Sequence, residues 1–312
     1  MLTAAKQPEA VGRPLVIWRL LDGKPGHENQ TLGLLRALER LAAERGQAAP
    51  QCIELFVADQ YFSLWSFVLR RFHLGKNLPA PDFIIGAGHR THWPMLCARR
   101  AFGGKAIALM SPSLPCAFFD LVVAPAHDGL TGRNVIVTQG VLNVMQPGEK
   151  APGKTLVMVG GESKHFAWSN EQVLLQLKEL ATRYPALCVT DSRRTPAALR
   201  SELASFFADR YMPWEKCPTG WLANELAGAE NAWVTEDSVS MIYEALSAGC
   251  RIGLLGLSEA KGRLAQGIVS LREAKRVVRW LPSTAMPELL LTTQALAESD
   301  RVAHALLGAV RA

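Results

Sequence analysis

No stretch of this chain approaches the roughly 18 consecutive apolar residues of a membrane-spanning helix. No two cysteines stand as a CxxC pair; the six (52, 97, 116, 188, 217 and 250) are scattered. Cys52, Cys97, Cys188 and Cys250 lie in or beside apolar segments, so they read as buried thiols of a reducing compartment rather than as a disulfide framework. The opening residues, MLTAAKQPEAVGR, hold no apolar signal-peptide core, and a cytoplasmic protein is expected. Charge is sparse: 20% of residues are charged against 49% hydrophobic, which argues against a disordered chain. The 34 basic and 28 acidic residues leave +6, with no basic tail or nucleic-acid recognition motif. That balance suits anionic partners such as nucleotides or acidic lipid head groups, and argues against nucleic acid.

Most catalytic signatures are missing too. There is no full GxGxxG; Gly86-Ala87-Gly88 lacks the third glycine, so a Rossmann oxidoreductase finds little support. No GxSxG elbow, no HExxH and no Asp-x-Asp diphosphate–metal motif occur. Residues 148–155, GEKAPGKT, match the P-loop letters, but Thr155 opens a strand where a P-loop would open a helix. His89 and His92, three apart, read as capping or packing residues rather than as a zinc pair.

What is present is alternation. Apolar strands are expected at 15–21, 52–57, 83–86, 106–110, 121–124 and 135–138, with a helix over 29–45. Residues 146–153 (QPGEKAPG) read as a linker. The pattern restarts with strands at 155–159, 187–190 and 251–255 and a helix over 169–184, and residues 286–312 read as one or two closing helices. Near-continuous apolar strands separated by helices mark parallel sheets covered on both faces. The length of 312 residues accommodates two such α/β domains, expected at 14–147 and 154–285. In doubly wound sheets ligands lie beyond the carboxyl ends of the strands, which makes the cleft between two halves the expected site.

The polar loops at strand ends carry the chemistry. In Asn231 to Gly249 an apolar run stops at an acidic and hydroxylic turn, and a helix opens with Asp237 and Ser238 as caps and Gly249 as its stop. A helix N-terminus at a sheet edge suits phosphate. Ser240 and Glu244, four apart, put a hydroxyl and a carboxylate on one face, as a nucleotide ribose would use. Gly160, Gly161, Lys164 and His165 follow the first strand of the second half, and Ser192, Arg193, Arg194 and Thr195 end the next. Both loops suit a diphosphate. After the first strand of the chain, DGKPGHEN offers Asp22 and His27 as acid–base groups, with Asn29 as helix cap. Residues 61–76, YFSLWSFVLRRFHLGK, mix aromatics with Arg70, Arg71, His73 and Lys76, as a membrane-surface segment or a helix packed on its own sheet would.

DGKPGHENQ, GAGHRT with nearby Pro94, SRRTP and VTEDSVSMIYEALSAG together resemble the Elm-type family, over roughly residues 14–285. That family takes its name from a plant mitochondrial fission protein, and its bacterial members are assigned as glycosyltransferases. The resemblance implies a GT-B-like fold of two Rossmann-like doubly wound domains facing a metal-independent cleft, with C-terminal helices over 286–312 crossing back. It implies that Glu244 holds the donor ribose, that Ser238 and Ser240 flank the diphosphate, and that Gly160 and Gly161 form the donor-domain glycine turn. Asp22 or His27 would fill the place of a base. The expected function is sugar transfer from a nucleotide-sugar to a lipid or lipopolysaccharide-type acceptor, with no cofactor beyond the donor itself. The alternatives are a catalytically silent GT-B-like scaffold recruiting partners at a membrane, or a nucleotide-sugar epimerase.

Overall fold

The computed structural model describes residues 12–257, 263–282, 284–291 and 294–310, and the chain divides into two compact units. One unit takes the residues up to Val144 together with those from Glu298 on; the other runs from Met145 to Ala297. Each is an α/β unit with a parallel sheet of six strands among the described residues.

In the first unit the elements are β1 (Val16–Leu21), α1 (Pro25–Glu44), β2 (Gln51–Phe56), the short α2 (Leu64–Val68), β3 (Phe83–Ala87), α3 (His89–Phe102), β4 (Lys105–Leu109), β5 (Leu121–Pro125) and β6 (Val135–Thr138). The strand order is β2-β1-β3-β4-β5-β6. Successive strand residues point to opposite faces, so the apolar strands build two cores. Trp18, Leu20 and Ile84 pack on one side with Met95 and Leu96 of α3. Ile17, Phe83, Ile85 and Ile107 pack on the other with Leu34 and Leu38 of α1. Arg19, buried in the middle of β1, is satisfied by Glu54 on the neighbouring strand, by the Thr31 hydroxyl at 2.7 Å and by the Glu28 carbonyl at 2.7 Å.

The second unit follows with β7 (Ala151–Met158), α4 (Asn170–Arg183), β8 (Leu187–Thr190), α5 (Ala197–Phe207), β9 (Tyr211–Met212), α6 (Trp221–Gly228), β10 (Ala229–Thr235), α7 (Val239–Ser247), β11 (Arg251–Leu255), α8 (Arg263–Glu273) and β12 (Val277–Trp280). Its order, β12-β11-β10-β7-β8-β9, is the doubly wound mononucleotide-binding order. The chain closes with α9 (Glu298–Val310), which belongs to the first unit. There Val302, Ala303, Leu306 and Leu307 join the core around α1, and Asp300 pairs with Arg40 at 2.5 Å.

Each sheet has one point where the winding reverses, the place where open α/β sheets form a crevice at the carboxyl ends of their strands. In the first unit it lies between β1 and β3, and in the second between β7 and β10.

Several expectations need correction. The first helix opens at Pro25, not Asn29, because proline favours the first helical position. His27 therefore stands in a helical turn rather than a free loop. Strands β9 and β12 were not expected; both are short and lie at sheet edges. Of residues 286–312 only α9 is helical among those described. The sequence 146–153 is not a free linker: 151–153 already belong to β7, and no helix follows the P-loop-like letters. Lys150 anchors this entry, its Nζ donating to the carbonyls of Leu226 (2.9 Å), Ala227 (3.0 Å) and Ala248 (2.7 Å). Burial lowers its pKa. Lys150→Met keeps the aliphatic stem but strands three carbonyls, so a loss of about 2–3 kcal/mol is expected in urea unfolding. An unchanged midpoint would remove Lys150 from the framework.

Candidate functional site

At the second unit's switch point the chain turns from β10 into α7 through Thr235, Glu236 and Asp237, all buried. The three side chains fan out to three neighbours. Thr235 Oγ1 accepts the Gly160 N–H at 2.7 Å, at the end of β7. Glu236 pairs bidentately with Arg279 of β12 and accepts the Leu257 N–H at 2.9 Å. Asp237 Oδ2 accepts the Gly161 N–H at 3.0 Å and pairs with Arg194 Nη2 at 2.7 Å. Gly160 and Gly161 are glycines for a steric reason. A Cβ on the first would collide with the Asp237 carboxylate, and one on the second with the Arg194 backbone.

The loop after β8 locks onto the same turn. Ser192 Oγ donates to the Gly160 carbonyl at 2.9 Å, and Thr195 Oγ1 donates to that carbonyl while accepting the Ser192 N–H at 2.9 Å. Arg194 spends Nη1 on the carbonyls of Gly161 (3.0 Å) and Glu162 (3.2 Å). Arg193 stacks instead on the Trp214 ring, 5.1 Å from its centroid. Asp191 is buried behind the loop, accepting from the Tyr211 hydroxyl at 2.8 Å and the Trp214 N–H at 2.7 Å.

The structure thus brings Gly160, Gly161, Ser192, Arg194, Thr195 and Asp237 together, but in a role the sequence did not suggest. The glycine-turn amides and Arg194, expected to hold diphosphate, are satisfied internally by Thr235 and Asp237. Asp237 caps nothing: it is spent on Gly161 and Arg194, while its Oδ1 is buried without a partner. Nor does a side chain cap α7, since Ser238 makes no such bond, so the first-turn amides stay open. Ser240, in that turn, and Lys164, in the tight turn closed by the Ser163–Phe166 bridge, are exposed.

Glu244 lies one turn further along α7. It is only partly accessible, and no hydrogen bond or ion pair among the described residues holds its carboxyl. Burial without a partner pushes its pKa up to about 7.

In the first unit, Asp22 and His27 meet as a dyad: His27 Nδ1 lies 2.8 Å from Asp22 Oδ2. The Asp22 side chain is 0% exposed and that of His27 19%, so the imidazole faces outward and the carboxylate stands behind it. Asp22 Oδ1 also accepts the Lys24 N–H at 3.2 Å. Gly88, ending β3, lies directly against the His27 ring, where a Cβ would collide. His92 packs edge-on against Phe119, as the packing reading expects.

Residues 61–76 form no continuous helix: α2 is followed by a break at Arg70 (φ 52°) and a 3-10 turn over His73–Gly75. Phe62 and Phe72 are buried, whereas Tyr61 (88%) and Trp65 (73%) stand exposed with Leu64, Val68 and Leu69. The segment is therefore packed on the first unit's core through Phe62 and Phe72 and leaves an apolar face uncovered beside them.

Sequence reasoning missed Thr235, Glu236, Arg279, Asp191, Trp214 and Gly88 as site residues. The first two lay inside the VTEDSVSM motif, and their signal was acid at the end of an apolar strand. Arg279 and Trp214 gave none, because only the sheet order brings them there.

A family model described as mitochondrial fission ELM1 matches residues 25–310. The uncharacterized protein RP120 of Rickettsia prowazekii is 24% identical over 297 residues, covering 75% of this chain and 81% of its own. Among solved structures, a protein assigned as a UDP-N-acetylglucosamine 2-epimerase from Listeria monocytogenes superposes with a TM-score of 0.54 at 12% identity, covering 95% of this chain and 88% of that one. Another UDP-N-acetylglucosamine 2-epimerase gives 0.52 at 13% identity, with coverages of 95% and 88%. At such identities the likeness is one of fold: α/β, GT-B-like, two Rossmann-like doubly wound domains.

Glu244 has a pH signature. A carboxyl with a folded pKa near 7, above its unfolded value, stabilises fully below the unfolded value and loses that contribution as pH rises through 7. Relative to Glu244→Gln, the wild type should lose on the order of 2 kcal/mol between pH 4.5 and 8. Parallel stability–pH curves would show that Glu244 is not desolvated.

Proposed function

The chain belongs to the mitochondrial fission ELM1 family, and we propose that it is a metal-independent glycosyltransferase using a nucleotide-sugar donor. The observation that carries this reading is the open N-terminus of α7 with the unpartnered Glu244 one turn behind it, at the switch point of a sheet wound in the mononucleotide-binding order. The α7 amides and dipole take the diphosphate, with Arg193 and Lys164 closing over it. Glu244, once ionised, accepts from the ribose hydroxyls. Gly160, Gly161, Ser192, Arg194, Thr195 and Asp237 frame this place rather than contact phosphate directly. Ser238 and Ser240 stand at its rim.

The reaction asks for stabilisation of a departing nucleoside diphosphate, which Arg193 and the helix dipole supply in place of a metal. It also asks for a base. With its Nδ1–H directed to Asp22, His27 presents Nε2 as a lone pair, and Asp22 is the positioning residue. The acceptor is a hydroxyl on a lipid or lipopolysaccharide-type molecule. In support, the exposed apolar side chains at 61–69 stand beside Arg70, Arg71 and Lys76, none of which pairs with a carboxylate among the described residues. That combination suits an anionic bilayer surface, and supports the reading of a cytoplasmic protein peripheral to the membrane.

A second reading rests on Asp237. An internal carboxylate already sits on the glycine turn, where nucleotide-binding folds receive phosphate, as a catalytically silent scaffold permits.

A thermal-shift screen of nucleoside diphosphates and their sugars, without metal and then with magnesium, separates the two. Ligand at a hundred times its dissociation constant adds about 2.7 kcal/mol of stability. The transferase reading expects a metal-independent shift for one nucleotide, lost in Glu244→Ala, and affinity that rises with pH through 7. Arg193→Ala should weaken nucleoside diphosphate about tenfold more than nucleoside, whereas Arg194→Ala should lower stability. No shift with any nucleotide would leave the scaffold.

Vesicle co-sedimentation tests the surface. Binding to vesicles with anionic lipid should fall several-fold in the Arg70→Ala/Arg71→Ala and Trp65→Ala proteins, and vanish for neutral vesicles at high salt. A parent protein that stays in the supernatant would end the membrane assignment.

A further inference from the structure

The first unit's switch point, between β1 and β3, holds more than the Asp22–His27 dyad. There α3 opens directly after Gly88, whose φ of 83° and missing side chain leave the first turn without a side-chain cap; the Thr91 N–H bonds the Gly88 carbonyl at 3.0 Å, so the amides of His89 and Arg90 are the open ones. Four residues into the chain from Gly88 stands His92, 1% exposed. Its Nδ1 accepts the Ser113 N–H at 3.3 Å and lies 2.9 Å from the Ser113 hydroxyl. An imidazole that accepts at Nδ1 carries its proton at Nε2. That Nε2–H is buried and finds no acceptor.

An orphaned buried donor is destabilising, and such groups in native folds call for an explanation. Phe119 covers the ring edge-on, and the polar groups that bear on it electrostatically are the imidazoles of His89 and His27. Burial and these two rings lower the His92 pKa to about 4, so it remains a neutral donor. His89 and Arg90, in the open first turn of α3, are exposed. The carboxylate beside Gly88, that of Asp22, is already matched by His27 and the Lys24 amide. The groups left without partners near this turn, the His89 and Arg90 amides and the His92 Nε2–H, are therefore donors.

We propose that the first turn of α3, with the Nε2–H of His92, is a binding site for an oxyanion, a phosphoryl or carboxylate group borne by the acceptor. The helix amides and the buried imidazole supply fixed donors, and the dipole favours negative charge. An anion held here lies beside His27, so it positions a neighbouring hydroxyl against that base. This assignment to an acceptor rests on the transferase reading; the anion site itself does not.

The test is a titration of the full chain, carbon-13 labelled at histidine, with inorganic phosphate and in parallel with acetate. The Cε1–H signals of His89 and His92 should shift saturably, and the anion that saturates at lower concentration identifies the group. In His92→Phe, read at His89, the affinity should fall tenfold or more, and His92→Gln, which restores an N–H donor, should recover most of it. Glu244→Ala should titrate as wild type, so failure of the nucleotide reading would leave this result standing. If His92→Phe does not fold, the wild type and His92→Gln decide alone. The absence of a saturable shift with either anion, or equal affinity in His92→Phe, overturns the site.

Discussion

Everything at the carboxyl edge of the second unit's sheet hangs on the turn Thr235–Glu236–Asp237. Three consecutive side chains reach three different strand ends: the glycine turn after β7, the Arg279 guanidinium on β12, and the arginine loop after β8. The strand β10 that delivers this turn sits at the centre of the sheet, hydrogen-bonded to both β7 and β11. A buried ion pair is costly to break from one side, because it leaves an uncompensated charge in low dielectric. The turn therefore ties loops that are remote in sequence into one rigid floor, and α7 starts from it.

The carboxylates of this edge divide accordingly. Glu236 and Asp237 are buried and paired, which is a structural use of charge. Glu244 is desolvated and unpaired, which is unfavourable for the isolated protein and favourable only with a ligand that donates to it. The same contrast holds in the first unit. Arg19 is buried with its partners in place, whereas His92 keeps a donor without an acceptor. Groups left unsatisfied inside otherwise satisfied surroundings are where ligand binding recovers free energy.

Both units gather polar side chains at the reversal of winding, yet the two edges differ. One offers an open helix terminus with a carboxylate behind it, and the other an imidazole–carboxylate dyad beside a second open helix terminus. Neighbouring strands that leave the reversal in opposite directions open a crevice at their carboxyl ends. The side chains at those ends then decide what enters.

The residues themselves were enough for the alternation of strands and helices, the two α/β domains, and the loops at which polar groups gather, since hydrophobic periodicity and turn chemistry are local properties. Ser240 and Glu244 stand four apart on one helix, and spacing alone placed them together; Asp22 and His27 were legible as separate candidates in one loop, and their pairing follows from the helix that opens at Pro25. What tertiary structure decided was the partners. Arg194 was legible as a cation near phosphate-binding glycines, but its engagement with Asp237, 43 residues later, depends on β7 lying between β8 and β10. Arg279 reaches Glu236 only because β12 adds to the far side of β11. His92 gave no signal beyond a packing histidine, because its unsatisfied Nε2–H follows from Ser113, brought to it by the pairing of β3 with β4. Local pattern determined which groups stand at the edges; strand order, which no local pattern carries, decided which of them are already satisfied and which remain to bind.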